Sequence, residues 1–310
     1  MSLTRSCSIG VMAFNEEGNI RYLLEALLNQ RLATVRIEEI VVVASGCTDR
    51  TEKIVEALAR SNALIKLAVQ DERQGKASAI NFFLSSAKAE IAVIESGDTI
   101  PAPEAIENLI RPFSDPGVGM TGAHPLPVNS AETFMGFTAH LFWRLHHQMA
   151  LQHPKLGELI AFRNIVPQIP ADTAVDEASI EAIITRAGYT MAYAQDALVY
   201  NKGPETVGDF LKQRRRIMIG HKHLQRTRGY TVATMKLGNL SGLVSHLFGP
   251  RPRRFRTIVW TLGAVCLEFF GRFLGDVDYY LKKKNPFAWD VAASTKKLKH
   301  DPPHSSNPGL

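Results

Sequence analysis

Two hydrophobic rhythms alternate along the first two hundred residues. Short apolar runs at Cys7–Phe14, Ile37–Ala44, Leu64–Val69, Ile91–Glu95 and Val118–Ala123 predict strands. Between them, apolar positions recur at helical spacing over Asn19–Gln30, Asp49–Ser61, Lys76–Ala87 and Pro103–Phe113. Further on, Leu159–Arg163 and Thr190–Gln195 read as strands, and Phe134–Leu151, Glu177–Ala187 and Val207–Arg226 as helices. Such alternation builds an α/β fold, a mostly parallel sheet with helices on both faces. In the stretch EIAVIESGDTIPAP, the run Ile91–Ile94 delivers Glu95, Ser96, Gly97 and Asp98 at its end, and Pro101 is expected to stop the strand there.

From about Lys236 the rhythm changes. Apolar Leu240–Phe248 gives way to the basic RPRRFR, then to TIVWTLGAVCLEFFGRFLG and YYLKKKNPFAW. The apolar core from Ile258 to Leu267 is interrupted by Glu268 and then Arg272, whereas a spanning helix needs about 20 apolar residues. A helical segment lying in a membrane interface, flanked by basic clusters, is the expectation. The divisions expected are therefore 1–230, a helical 231–300 and a disordered tail, 301–310.

Charge sharpens this. The 310 residues carry a net charge of +6, and Lys202–Arg256 holds 13 Lys/Arg against only Glu205 and Asp209. That bias implies a polyanionic partner: an acidic membrane, a diphosphate or a nucleic acid. Cys7, Cys47 and Cys266 have no metal-site spacing and imply a reducing, cytoplasmic setting. MSLTRSCSIGV enters a strand directly, so no leader is expected. Together these place the protein on the inner face of the cell membrane, peripherally.

The candidate chemistry sits at strand ends. Gly117–Gly122 matches G-x-G-x-x-G, but it runs into a strand rather than opening a helix, so its amides are not placed for a pyrophosphate. No P-loop pattern occurs. The first strand instead leads to Asn15-Glu16-Glu17 and the second to Ser45-Gly-Cys-Thr-Asp49-Arg-Thr51. The third leads to Gly75-Lys76-Ala-Ser-Ala-Ile-Asn81, and the fourth to Ser96-Gly97-Asp98. Each alone is ordinary turn or cap chemistry. Together they place acid, hydroxyl, amide and lysine groups along one sheet edge, where nucleotides bind in α/β folds.

From Cys7 to about Gly220 this order of motifs resembles family 2 of the inverting glycosyltransferases, which have the GT-A fold. The resemblance implies nucleotide-sugar binding, with UDP the expected nucleotide, by Asn15, Glu17, Ser45, Asp49, Lys76 and Ser96. It places the family's D-x-D metal motif on Ser96-Gly97-Asp98, with Asp98 holding Mg²⁺ or Mn²⁺. It places the catalytic base on the pair Asp176-Glu177. It matches Gln213-Arg214-Arg215-Arg216-Ile217 to Q-x-x-R-W, so that Gln213, Arg215 and Arg216 close on the donor diphosphate. Lys155–Arg163 takes the place of the family's glycine-rich strand beside the acceptor, a lipid-linked or glycan hydroxyl.

Three positions depart from that pattern. Ser96 stands for the first aspartate, Asp176-Glu177 reverses the acidic pair, and Ile217 replaces the tryptophan. Glu95, one residue earlier, is a candidate to compensate for the missing aspartate, although alternation aims its side chain at the opposite face from that of Ser96. Glu177 is the first choice for the base and Asp176 the second. The chemistry independently calls for these groups: a cation and arginines for the departing diphosphate, and a carboxylate for the acceptor proton. His140, His146 and His147 lack H-E-x-x-H spacing and read as packing residues. A sugar-nucleotide pyrophosphorylase needs a glycine-rich loop after the first strand, which Asn15-Glu16-Glu17 is not. A basic membrane- or nucleic-acid-binding protein leaves the acidic strand ends unexplained, so nucleic acid is not an expected partner.

Overall fold

The computed structural model describes residues 4–232 and 255–282, with Thr295 and Leu298. Leu240–Phe248, Arg251, Arg253, Arg254, Lys283, Lys284 and the 301–310 tail lie outside the described residues.

Four strands form the parallel half of the sheet: β1 (Arg5–Ala13), β2 (Val35–Ser45), β3 (Ile65–Gln70) and β4 (Ile91–Ser96). Ile91 to Glu95 are all buried, the pattern of a strand covered on both faces. Beyond β4 the order continues β7 (Ile160–Arg163), β6 (Val118–Pro127), β8 (Thr190–Asn201) and β5 (Thr99–Pro101), and the sheet becomes mixed. β7 runs antiparallel to both β4 and β6, while β6 and β8 are parallel. Helix α1 (Ile20–Leu28) buries Ile20, Leu23, Leu24 and Leu27, the spacing of one helical stripe. With α2 (Thr51–Ser61) and α4 (Ala105–Ile110) it covers one face; α3 (Lys76–Ser86) and α6 (Asp176–Arg186) cover the other.

The register explains the site. Met12 pairs with Ser96, Ala13 with Ala44, and Ser45 with Gln70, so four strands end level at one edge. A Cβ on Gly97 would lie 2.7 Å from Glu16 Cγ, so only glycine lets the β4 turn pass the β1 loop.

Two expectations are corrected. β4 ends earlier, at Ser96, and Pro101 instead closes a further short strand: β5 pairs antiparallel with β8, Thr99 with Asn201 and Pro101 with Val199. It is the outermost strand of the sheet, and an edge strand tolerates proline's missing N–H. The interrupted apolar segment is one continuous helix, α8 (Phe255–Tyr280), 26 residues and about 39 Å long. It is long and apolar enough to cross a membrane. It packs against α5 (Phe134–Gln152) and α7 (Val207–Arg228). Gly271 and Gly275 allow the approach, since a Cβ at either would sit 2.7 Å from Arg214 Cβ or Met218 Cβ.

Candidate active site

The sheet edge, α5, α6, α7 and α8 enclose a cleft of about 1070 Å³. On the sheet side, Asn15 adopts a left-handed φ of 53°, tolerated by asparagine, and turns the chain out of β1. Its side chain bonds Thr48: Nδ2 donates to Oγ1 at 3.1 Å, and Oδ1 accepts from Thr48 N at 2.8 Å. Asp49 accepts from Glu17 N at 3.0 Å and from Thr51 N at 2.9 Å, and Glu17 pairs with Arg50 at 3.1 Å. These contacts lock the β1 and β2 loops together, and Asn15, Glu17 and Asp49 do not line the cleft. Ser45, Lys76, Ser96 and Asp98 do, with Phe14, Glu16 and Arg73. The Arg73 guanidinium lies 4.0 Å from the Phe14 ring centroid. Arg73 was not singled out from sequence, although a cation two residues before the Gly75-Lys76 helix start was the available signal. Glu95 is fully buried, bonded to Thr99 Oγ1 and off the cleft lining, so it does not replace the missing aspartate.

Lys76, the first residue of α3, reaches the first turn of α6. Its Nζ lies 3.1 Å from Glu177 Oε1 and 3.2 Å from Asp176 Oδ2. The Glu177 contact is a hydrogen bond; that to Asp176 is an ion pair without hydrogen-bond alignment. Burial disfavours the Lys76 ammonium, but the two carboxylates outweigh it and hold it protonated above its ordinary range. Burial raises Asp176. Burial also pushes Glu177 up, yet Lys76, a backbone N–H and Arg216 more than offset it and keep it ionised. The side chain of Glu177 is 24% exposed and lines the cleft; that of Asp176 is 2% exposed and does not. Geometry thus separates the two members of the pair.

Sequence reasoning placed Glu158 beside the acceptor without giving it a role. It lines the cleft in a left-handed conformation, φ 61°, unusual for glutamate and a mark of local strain. Burial raises its carboxyl to about 7, with the negative charges of Asp98 and Glu177 adding to the rise. Asp98 and Glu158 therefore repel one another across the cleft. Among the described residues no three His, Cys, Asp or Glu side chains converge into a protein cage for a metal. An all-oxygen pair of mutually repelling carboxylates nonetheless suits a hard cation such as Mg²⁺ or Mn²⁺, which completes its shell with phosphate and water oxygens.

The opposite wall is made by α5, α7 and α8. Gln213, Arg215 and Arg216 line it. Arg216 sits in the field of Asp176, Glu177, Glu158 and Asp98. Arg215 does not face the acids alone: its Nε bonds Asp278 Oδ2 at 2.7 Å, and Arg214 Nε lies 3.2 Å from Glu268 Oε2. Both acids belong to α8 and were missed in the sequence. The signal was present, because an acid inside an apolar helix needs a cationic partner to be buried.

Comparison with known proteins agrees with this geometry. The glycosyl transferase family 2 model matches residues 8–164, and the glycosyl transferase family group 2 model matches 91–274. The chain is 22% identical over 236 residues to poly-beta-1,6-N-acetyl-D-glucosamine synthase of Staphylococcus aureus (strain MSSA476), covering 72% of this chain and 56% of that one. It spans between 31% and 56% of the length of the curated relatives it matches first. The fold is similar to that of mannosyltransferase PcManGT from Pyrobaculum calidifontis, solved with GDP-Man and Mn²⁺, with TM-score 0.64, 21% identity and coverage of 90% and 88%. It is also similar, at TM-score 0.50 and 18% identity, to glucosyl-3-phosphoglycerate synthase from Mycobacterium tuberculosis with Mn²⁺ and UDP-Glc, covering 72% and 79%. With the sheet order, the level strand ends and the family models in agreement, the chain has the GT-A fold and belongs to glycosyl transferase family 2.

Proposed function

We propose that the protein is an inverting transferase that moves a sugar from a nucleoside-diphosphate donor, UDP-sugar being the expected class, to an acceptor hydroxyl. The observation that carries this reading is the placement of Glu177 and Asp98 in one cleft with Lys76, which pairs with Glu177, and Arg216, which lies in the field of both acids. Asp98, with Glu158, would hold the divalent cation. When bound, that cation neutralises charge developing on the diphosphate as it leaves.

The chain's own residues supply the rest. Phe14 and Arg73 offer a flat, cationic platform beside the strand ends for a nucleotide base. Ser45 and Ser96 stand where the donor's sugar hydroxyls come to lie. Gln213, Arg215 and Arg216 present donors to the phosphates, and a guanidinium matches two phosphate oxygens at once. Glu177 accepts the proton of the attacking hydroxyl as the bond from that oxygen to the anomeric carbon forms. The bond from that carbon to phosphate breaks on the opposite side, and the nucleoside diphosphate departs. Lys76 keeps Glu177 ionised until then, and Asp176 holds Lys76.

The acceptor is lipid-linked or glycan, presented at an anionic membrane on the cytoplasmic side. The outward stripe of α8 supports this: Phe255, Leu262, Phe269 and Phe273 are 55–82% exposed, on the helix that carries Arg256 and precedes Lys282. α7 lies along α8 as part of the enzyme body, so the reading is a helix in the interface plane rather than a crossing one.

Release of nucleoside diphosphate from a panel of nucleotide sugars, with Mn²⁺ or EDTA and with lipid or glycan acceptors, tests the proposal. Acceptor-stimulated, metal-dependent release from one donor is expected. Absence of release from every donor, in a protein that binds no nucleotide, defeats it.

A further inference from the structure

The half of the cleft away from the strand ends holds cations that the transfer reaction does not use. Lys155, Arg214 and Arg272 line it, with His146 and His221 beside them. Glu268 is shared by the two arginines, 3.2 Å from Arg214 Nε and 2.8 Å from Arg272 Nε. Lys155 forms no salt bridge among the described residues. Glu181, the other carboxylate in electrostatic range of Lys155, is 4% exposed and accepts from Tyr230 Oη at 2.5 Å. Lys155, Arg214 and Arg272 thus face two carboxylates, Glu268 and Glu181, which leaves one positive charge in excess on a half-buried wall, where an anionic ligand would balance it.

The same wall is apolar between these charges. Phe142, Trp143 and Met149 of α5 and Phe269 of α8 line it. Phe269 is also 70% exposed on the outward stripe of α8, so apolar surface continues from inside the cleft to the outside of the protein.

We propose that this half-cleft binds the acceptor through a phosphate ester carried on an apolar chain, with Lys155 as the main phosphate ligand and the Phe142–Phe269 wall as the seat of the chain. The proposal rests on the glycosyltransferase reading and deepens it by naming the acceptor class. Burial lowers the Lys155 ammonium to about 8, with repulsion from Arg214 and Arg272 adding to the fall, and an arriving anion would reverse both effects. Burial first, then neighbouring positive charge, keeps His146 and His221 neutral, able to donate hydrogen bonds to a phosphate without adding charge.

Octyl phosphate, below its critical micelle concentration, is the probe, titrated against the full chain by calorimetry. Octyl glucoside and inorganic phosphate are the neutral-chain and chain-free controls, and GDP and UDP with Mn²⁺ report the donor side. Octyl phosphate should bind at least tenfold more tightly than either control. Lys155→Met should weaken it tenfold or more and Lys155→Arg should restore it, while nucleotide affinity stays within twofold. Octyl phosphate binding no better than octyl glucoside, or unchanged in Lys155→Met, overturns the proposal. Inorganic phosphate binding as tightly as octyl phosphate removes the lipid chain and overturns it too. A wild-type protein that binds octyl phosphate but no nucleotide upholds this site and defeats the glycosyltransferase reading, so the two failures are distinct.

Discussion

The two walls of the cleft obey opposite rules. Behind the sheet-side wall stands α1, which buries Ile20, Leu23, Leu24 and Leu27 and turns Arg21 and Glu25 to water. The opposite wall rests on α8, which turns half-buried Glu268 and buried Gly271, Gly275 and Asp278 inward and Phe255, Val259, Leu262, Phe269 and Phe273 outward. The first arrangement suits an aqueous donor. The second suits an outer medium that is itself apolar, because exposing that many aromatic rings to water forgoes about 1.5–3 kcal/mol each. On the function proposed above, the difference assigns one wall to the soluble substrate and the other to a substrate delivered from a surface.

If the walls divide the work this way, each variant should damage one side and spare the other. The largest effect belongs to Glu177→Gln. Removing a general base costs about 10²–10⁴-fold, so kcat should fall by that range while Kd for the nucleoside diphosphate hardly moves. Near-normal turnover in this variant, with Asp176→Asn dead, would show that the buried member of the pair is the base.

Asp98→Asn should come next, lowering kcat/KM by about 10²-fold, the scale of losing one electrostatic stabiliser of developing charge. It should also abolish the Mn²⁺ dependence of nucleotide binding and leave vesicle binding intact. Calorimetry that finds the metal dependence unchanged would remove Asp98 from the donor wall.

Phe269→Ser with Phe273→Ser probes the other side. Loss of two large rings from the outward stripe should weaken binding to anionic vesicles about tenfold or more, and nucleotide affinity should not change. Wild type should float with such vesicles, less so in high salt. A double variant that floats like wild type would make the stripe irrelevant to the surface and end the comparison.

The donor wall was legible in the sequence for a physical reason. Its residues follow strands, one motif per strand end, so Ser45, Lys76, Ser96 and Asp98 could be placed on one edge by topology alone. Even there, Asn15, Glu17 and Asp49 bond to neighbouring loop residues and stay off the cleft surface, a matter of side-chain pairing that order along the chain does not reveal. The acceptor wall was less legible. Apolar spacing read α8 as a short core broken by Glu268 and Arg272, because its charges point to Arg214 and Arg215 more than fifty residues away. Glu158 carries no pattern at all; its left-handed backbone appears only once the strand is placed.

Glu158 lies where the two walls meet, and its replacement gives the smallest effect and the finest test. Its carboxyl stands near 7 in the folded protein against an ordinary 4.5, burial being the larger cause and the Asp98 charge the next. A raised carboxyl is one whose charged form the fold disfavours. Between these two values the native state holds a proton that the unfolded chain has released, so stability falls as pH rises through that window and the whole cost is present above it. Glu158→Gln keeps the shape and removes the charge. With EDTA and no nucleotide, the variant should melt like wild type near pH 4 and about 2 °C higher near pH 8, the shift expected of roughly 1 kcal/mol in a chain of this size. Saturating Mn²⁺ with nucleotide should erase the gain, since the wild-type pair then has its cation. A Tm difference that is the same at both pH values would mean that Glu158 is not held against Asp98, and the place assigned to the cation would lose its second carboxylate.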